Sequence, residues 1–139
     1  LAALFISGLF ISILYHPMAA VPYILLWLAS YLVLFAGTCR SCVYYGKACP
    51  VPLEGSVVCR VFPKSSTPFG WTALFFATVA YVLRIGIAVA VIAAKGLFAE
   101  GIAFGLILTL FWAVHLLVSG CPNCVNYQCP LNPGKPGSP

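Results

Sequence analysis

Residues 71–94 run for 24 positions with a single charged side chain, Arg84. A segment of that length and character suits the hydrocarbon core of a bilayer, which takes roughly 20 apolar residues to cross. Three further runs share the character, at about 1–15, 21–37 and 102–119. The chain is 63% hydrophobic and 6% charged, against about 45–50% and about 25% in soluble domains. So much apolar surface cannot be hidden in a soluble fold of 139 residues. The sequence therefore predicts an all-α integral membrane protein, a single transmembrane domain over 1–139.

The run 1–15 is short for a span, and Leu1 lies inside it, so further residues are expected upstream. A secretory signal peptide is the competing reading of residues 1–20. It needs a basic n-region, and the first basic residue is Arg40. His16-Pro17 and Pro22 bracket the first connection, because proline ends or kinks a helix. Lys95-Gly96 through Glu100-Gly101 is read as a tight turn between the last two spans. Trp27, Trp71, Trp112, Tyr44 and Tyr45 are candidates for an interfacial aromatic belt, with packing as the other role open to the tryptophans.

Seven cysteines punctuate this apolar chain in two groups, each directly after a pair of apolar runs. The first is Cys39, Cys42, Cys49 and Cys59, and the second is Cys121, Cys124 and Cys129. Both groups read C-x-x-C-V-x-Y, a short spacer, then C-P, at 39–50 and 121–130. Two spans separate the groups, so both emerge on one side of the membrane. The expected architecture is a four-helix transmembrane bundle built as two hairpins. Its cysteine-rich, metal-binding cap, residues 39–59 and 121–130, lies on one face.

Charge orients it. The cysteine face carries Arg40, Lys47, Arg60, Lys64 and Lys135 against Glu54, and the opposite face carries Lys95 against Glu100. Lys and Arg in short loops mark the cytoplasmic side. The chain is accordingly expected to be multi-pass, with the cysteine cap and both termini in the cytoplasm. In a reducing compartment, C-x-x-C thiols bind metal more often than they form structural disulfides. Cys59 is the candidate fourth ligand of the first group, and His115, six residues before Cys121, that of the second. Structural zinc is held by four cysteines or by three cysteines and a histidine, and thiolates are the usual ligands of iron–sulfur clusters. A single site shared by Cys39, Cys42, Cys121 and Cys124 is a third arrangement. A disulfide-stapled cap on the other side of the membrane, in which an odd number of thiols strands one, and free or redox-active thiols are the alternatives to metal.

Arg84 falls near mid-membrane, where charge is costly and usually faces protein, water or an anion. No acid of the chain shares its depth. The sequence predicts either a contact with a partner subunit or bound anion, or hydrogen bonds to carbonyls and Thr109. Gly101 and Gly105 form a G-x-x-x-G that permits close helix packing. Haem is disfavoured, because His16 and His115 fall at opposite ends. The chain has no Asp, and its two Glu lie on opposite faces, which removes paired-carboxylate chemistry. The basic cap suits anionic lipid headgroups, and no nucleic-acid partner is expected.

At 39–49 and 121–132 the chain resembles small prokaryotic integral membrane proteins with paired CxxC…CP motifs. The resemblance implies a prokaryotic plasma membrane as the location, a shared metal-binding cap, and no particular activity. The function expected is a metal-binding (zinc or iron–sulfur), non-catalytic accessory subunit of a larger membrane complex. Its partners would be the lipid bilayer and either other membrane subunits or further copies of itself. An iron–sulfur electron-transfer subunit and a thiol-based transporter of soft metal are the alternatives.

Overall fold

A computed structural model of the chain describes residues 1–48, 54–119, 126 and 129–131. Cys49, Cys121, Cys124 and Lys135 lie outside the described residues. Within them every regular element is helical. The elements are α1 (Ala2–Tyr15), α2 (Ala20–Gly37), α3 (Glu54–Val61), α4 (Trp71–Lys95) and α5 (Phe98–Val114). A π-helical turn, His115–Ser119, extends α5. Three helical segments are long and apolar enough to cross a membrane: Pro17–Ser41, Trp71–Lys95 and Phe98–Val118. The apolar α1, at 14 residues, is shorter.

The helices start and stop for local reasons. Pro17 opens a short 3-10 turn, whose entry is capped by His16 Nδ1 accepting from the Met18 N–H. The chain passes from that turn straight into α2, and Pro22 sits in the first turn of α2, where the missing N–H has no intrahelical partner to lose. Pro22 therefore does not break the helix, as the sequence had suggested. Gly96 terminates α4 in the left-handed region, with φ of 62°. α5 begins at Phe98, so Glu100 and Gly101 belong to its first turn rather than to the connection. A carboxylate at that position meets the positive end of the helix dipole.

Packing centres on α2 and α4. Tyr23, Trp27, Ser30 and Leu34 line the buried face of α2, while Ala73, Ala80, Arg84, Ala88 and Val91 line that of α4. Steps of three, four and seven in both sets are those of one helical face. Bulky rings on α2 thus meet mostly small side chains on α4. Leu4, Ile11, Tyr23, Trp27, Ala88, Val91 and Phe104 form one core cluster, to which α1 and α5 contribute. Gly8 of α1 makes room for the Tyr23 ring, whose hydroxyl donates to the Leu4 and Phe5 carbonyls at 3.3 and 3.2 Å. Gly37 of α2 does the same for the Phe76 ring on α4. By contrast, a methyl group at Gly105 would meet nothing within 4 Å, and one at Gly101 would meet only the Ile92 side chain. The predicted G-x-x-x-G is therefore no two-point packing seam.

The connections sort to two ends. At one, Lys95 Nζ sits 4.9 Å from the Tyr15 ring centroid, which joins the ends of α1 and α4. At the other, Thr38 Oγ1 donates to the Ala73 carbonyl at 2.8 Å, which ties the end of α2 to the start of α4. Cys39 and Cys42 follow directly at this second end.

Candidate metal centre

The first cysteine motif folds as a chain of turns. Residues Cys39–Ser41 form a 3-10 turn closed by the Cys42 N–H donating to the Cys39 carbonyl at 3.2 Å. Such a turn is the local geometry that lets two C-x-x-C sulfurs approach one ion. The chain then turns again through Tyr44 and Tyr45 to Gly46, which holds φ of 72°. That positive φ suits glycine.

α3 braces these turns. The Gly46 N–H donates to the Gly55 carbonyl at 2.9 Å, and the Tyr45 hydroxyl donates to the Phe62 carbonyl at 2.7 Å. The Ser65 N–H reaches back to the Arg40 carbonyl at 3.0 Å. Val58 is completely buried on the inner face of α3, and Cys59, next in sequence, is exposed. The Cys59 thiol donates to the Ser56 carbonyl at 3.1 Å. It adjoins the turn tip, since a methyl at Gly46 would lie 3.9 Å from its sulfur.

The second motif contacts the first through Asn126. Its Oδ1 accepts from the Val43 N–H at 3.1 Å, and its Nδ2 donates to Cys42 Sγ at 3.3 Å. A backbone N–H is only a donor, so it fixes the carbonyl side of the amide and leaves the NH2 side facing the sulfur. Cys129 is buried, and its N–H donates to the Asn126 carbonyl at 3.0 Å. Residues 83 and 84 positions apart are thereby held together at one end of the molecule.

Among the described residues no three His, Cys, Asp or Glu side chains form a cluster that would hold a metal ion. Cys42, Cys59 and Cys129 form no disulfide. His115 begins the π-helical turn, half-buried, and stacks on Phe111 at 5.7 Å with the ring planes 13° apart. Trp112 meets it edge-on at 6.0 Å. Arg40 buries its Nε with no hydrogen-bond partner among the described residues.

Arg84 forms a second polar centre within the helices. It is 2% exposed. Its Nε donates to Ser30 Oγ at 2.7 Å, and the Ser30 hydroxyl passes the bond on to the Trp27 carbonyl. The guanidinium carbon lies 4.5 Å from the Tyr31 ring centroid and 5.3 Å from those of Trp27 and Tyr81. The hydroxyl at its side is thus Ser30, and the expected Thr109 is instead exposed in a shallow groove on α5. Three aromatic faces offer a desolvated cation a share of the stabilisation that water gave it, up to about 2 kcal/mol per ring. The sequence marked Arg84 but not its cage; the four-residue spacing of Trp27 and Tyr31 was the available signal.

Trp27 packs in the core, whereas Trp71 is 74% exposed at the start of α4. Only Trp71 of these two fits the interfacial role. No protein-family model, no curated protein and no solved structure matches this chain.

Proposed function

We propose that this chain is a metal-binding membrane protein, in which four spanning helices form two hairpins capped by one cysteine-rich centre. The observation that carries the reading is the Asn126 bridge to Cys42 and Val43, which joins the two cysteine motifs at one end of the helices. An N–H donated to a sulfur suits a thiolate that already ligates a metal, because ligands in such sites are commonly oriented by outer hydrogen bonds. The buried Nε of Arg40, between Cys39 and Cys42, has no hydrogen-bond partner among the described residues, which is a further fit. A zinc held by four thiolates is anionic and would offer that donor an acceptor.

The metal, zinc or an iron–sulfur cluster, would be held by Cys39, Cys42, Cys49, Cys59, Cys121, Cys124 and Cys129, with His115 as a candidate eighth ligand. It would clamp the two hairpins where short loops alone do not. The cap would face the cytoplasm, as the excess of Lys and Arg on that side implies. The role is that of a non-catalytic subunit in a membrane assembly. Of the three membrane-length helices, Phe98–Val118 is the least covered, with 6% of its span buried against 22% for the other two. That leaves one long side for lipid or a neighbouring protein. Transport of soft metal fits less well, because the buried polar groups of the described helices, Ser12, Ser30 and Arg84, include no thiol, imidazole or carboxylate that would ligate a passing ion.

The test is metal content and visible absorption of the protein purified in detergent without oxygen. Stoichiometric colourless zinc supports a structural clamp, and iron with sulfide and broad visible absorbance supports electron transfer. Absence of both, with thiols blocked, rejects the metal reading.

A further inference from the structure

We infer that Asn126 is a positioning residue that couples the two cysteine motifs into one centre, rather than leaving two independent sites. Two independent sites would need no cross-motif contact at the ligand atoms. Here the amide of Asn126 spans two neighbouring groups of the first motif, the Cys42 sulfur and the Val43 N–H. Both bonds come from one planar group, so the amide fixes direction as well as distance. Val43 immediately follows Cys42, so the same amide holds the backbone that carries the sulfur.

Asn126 is 6% exposed. Its own carbonyl receives the Cys129 N–H, so the residue also ties down the backbone of the last cysteine of the second motif. One side chain therefore orients Cys42, and the backbone of the same residue orients Cys129. An Asp here would accept from Val43 equally well but would turn an oxygen toward the sulfur. An Ala would remove both bonds. The coupling depends on the amide, and those two substitutions separate its two halves.

The inference rests on the metal-centre reading for its ligand, while the contact itself stands without it. The experiment is a cobalt(II) titration of the full chain in detergent, reduced and without oxygen, followed by the sulfur-to-cobalt charge-transfer band. The variants are Asn126→Ala, Asn126→Asp, Cys39→Ser with Cys42→Ser, and Cys121→Ser with Cys124→Ser. With one coupled centre, either paired serine variant abolishes the whole signal. Asn126→Ala then weakens cobalt binding about 10–100-fold, the usual effect of losing an outer-shell partner, and moves the charge-transfer band. Asn126→Asp moves the band further than Asn126→Ala does, because it replaces a donor to sulfur by an acceptor. Independent sites give a different result: each paired serine variant keeps the other motif's cobalt with an unshifted band, and Asn126→Ala changes nothing. That result overturns the inference.

If the wild-type chain binds neither cobalt nor zinc, the metal reading fails and the coupling is judged by alkylation alone. Cys59 is then the internal reference, since its thiol bonds to Ser56 of its own helix. A several-fold change in the Cys42-to-Cys59 alkylation ratio on Asn126→Ala supports coupling. An unchanged ratio overturns it.

Discussion

Arg84 shows how one costly residue is accommodated. A charge in the middle of a 25-residue apolar helix is tolerated here by three ring faces and one hydroxyl rather than by an acid. Two substitutions should therefore differ in cost. Ser30→Ala leaves the Nε donor buried without its acceptor and destabilises the protein by about 1–3 kcal/mol, measured by denaturant unfolding in detergent. Arg84→Met removes the charge together with its need for partners, so it costs less than Ser30→Ala or stabilises. The reverse order would mean that the cation itself is required for folding. The sequence revealed the charge and its depth, since both follow from position along an apolar run. It did not reveal Ser30, because that depends on how α2 is rotated against α4. A single hydroxyl carries no periodic signal.

At the scale of elements, the long helices were legible because continuous apolar runs and proline or glycine punctuation mark them. α3 was not. Its eight residues, Glu54–Val61, contain Gly, Ser and three β-branched valines, all modest helix formers. Tertiary contacts form it: Val58 is fully buried, and Gly55 accepts from the turn at Gly46. The acid-first, base-last order of Glu54 and Arg60 was the one sequence signal. Glycines divide in the same way. Gly37→Ala pushes a methyl into the Phe76 ring at the α2–α4 contact and costs about 1–3 kcal/mol by overpacking. Gly105→Ala meets open space and is neutral or stabilising through helix propensity. Thermal unfolding of the two variants checks this; equal losses would contradict the packing described.

Over the whole molecule, the connections sort to two ends, and the described cysteines Cys39, Cys42, Cys59 and Cys129 follow from elements at one of them. The end that holds Cys39 and Cys42 also holds Arg40, Lys47 and Lys64 in its connections and Arg60 in α3. With this end in the cytoplasm, Cys59 kept as the sole cysteine, and so without a metal site around it, escapes a membrane-impermeant maleimide in intact cells and is labelled in inverted vesicles; labelling in intact cells would reverse the orientation. That the two motifs share an end followed from counting spans. That they touch through Asn126 did not, because an asparagine between cysteines is equally at home in a solvated turn.

The central claim, that these thiols hold metal, is tested most directly by native mass spectrometry of the intact chain released from detergent micelles without oxygen. The expected mass is that of the chain plus bound metal, less one proton for each thiolate formed, with a return to the fully reduced mass on acidification. A metal-free chain lighter by two hydrogens for every pair of cysteines would contradict it.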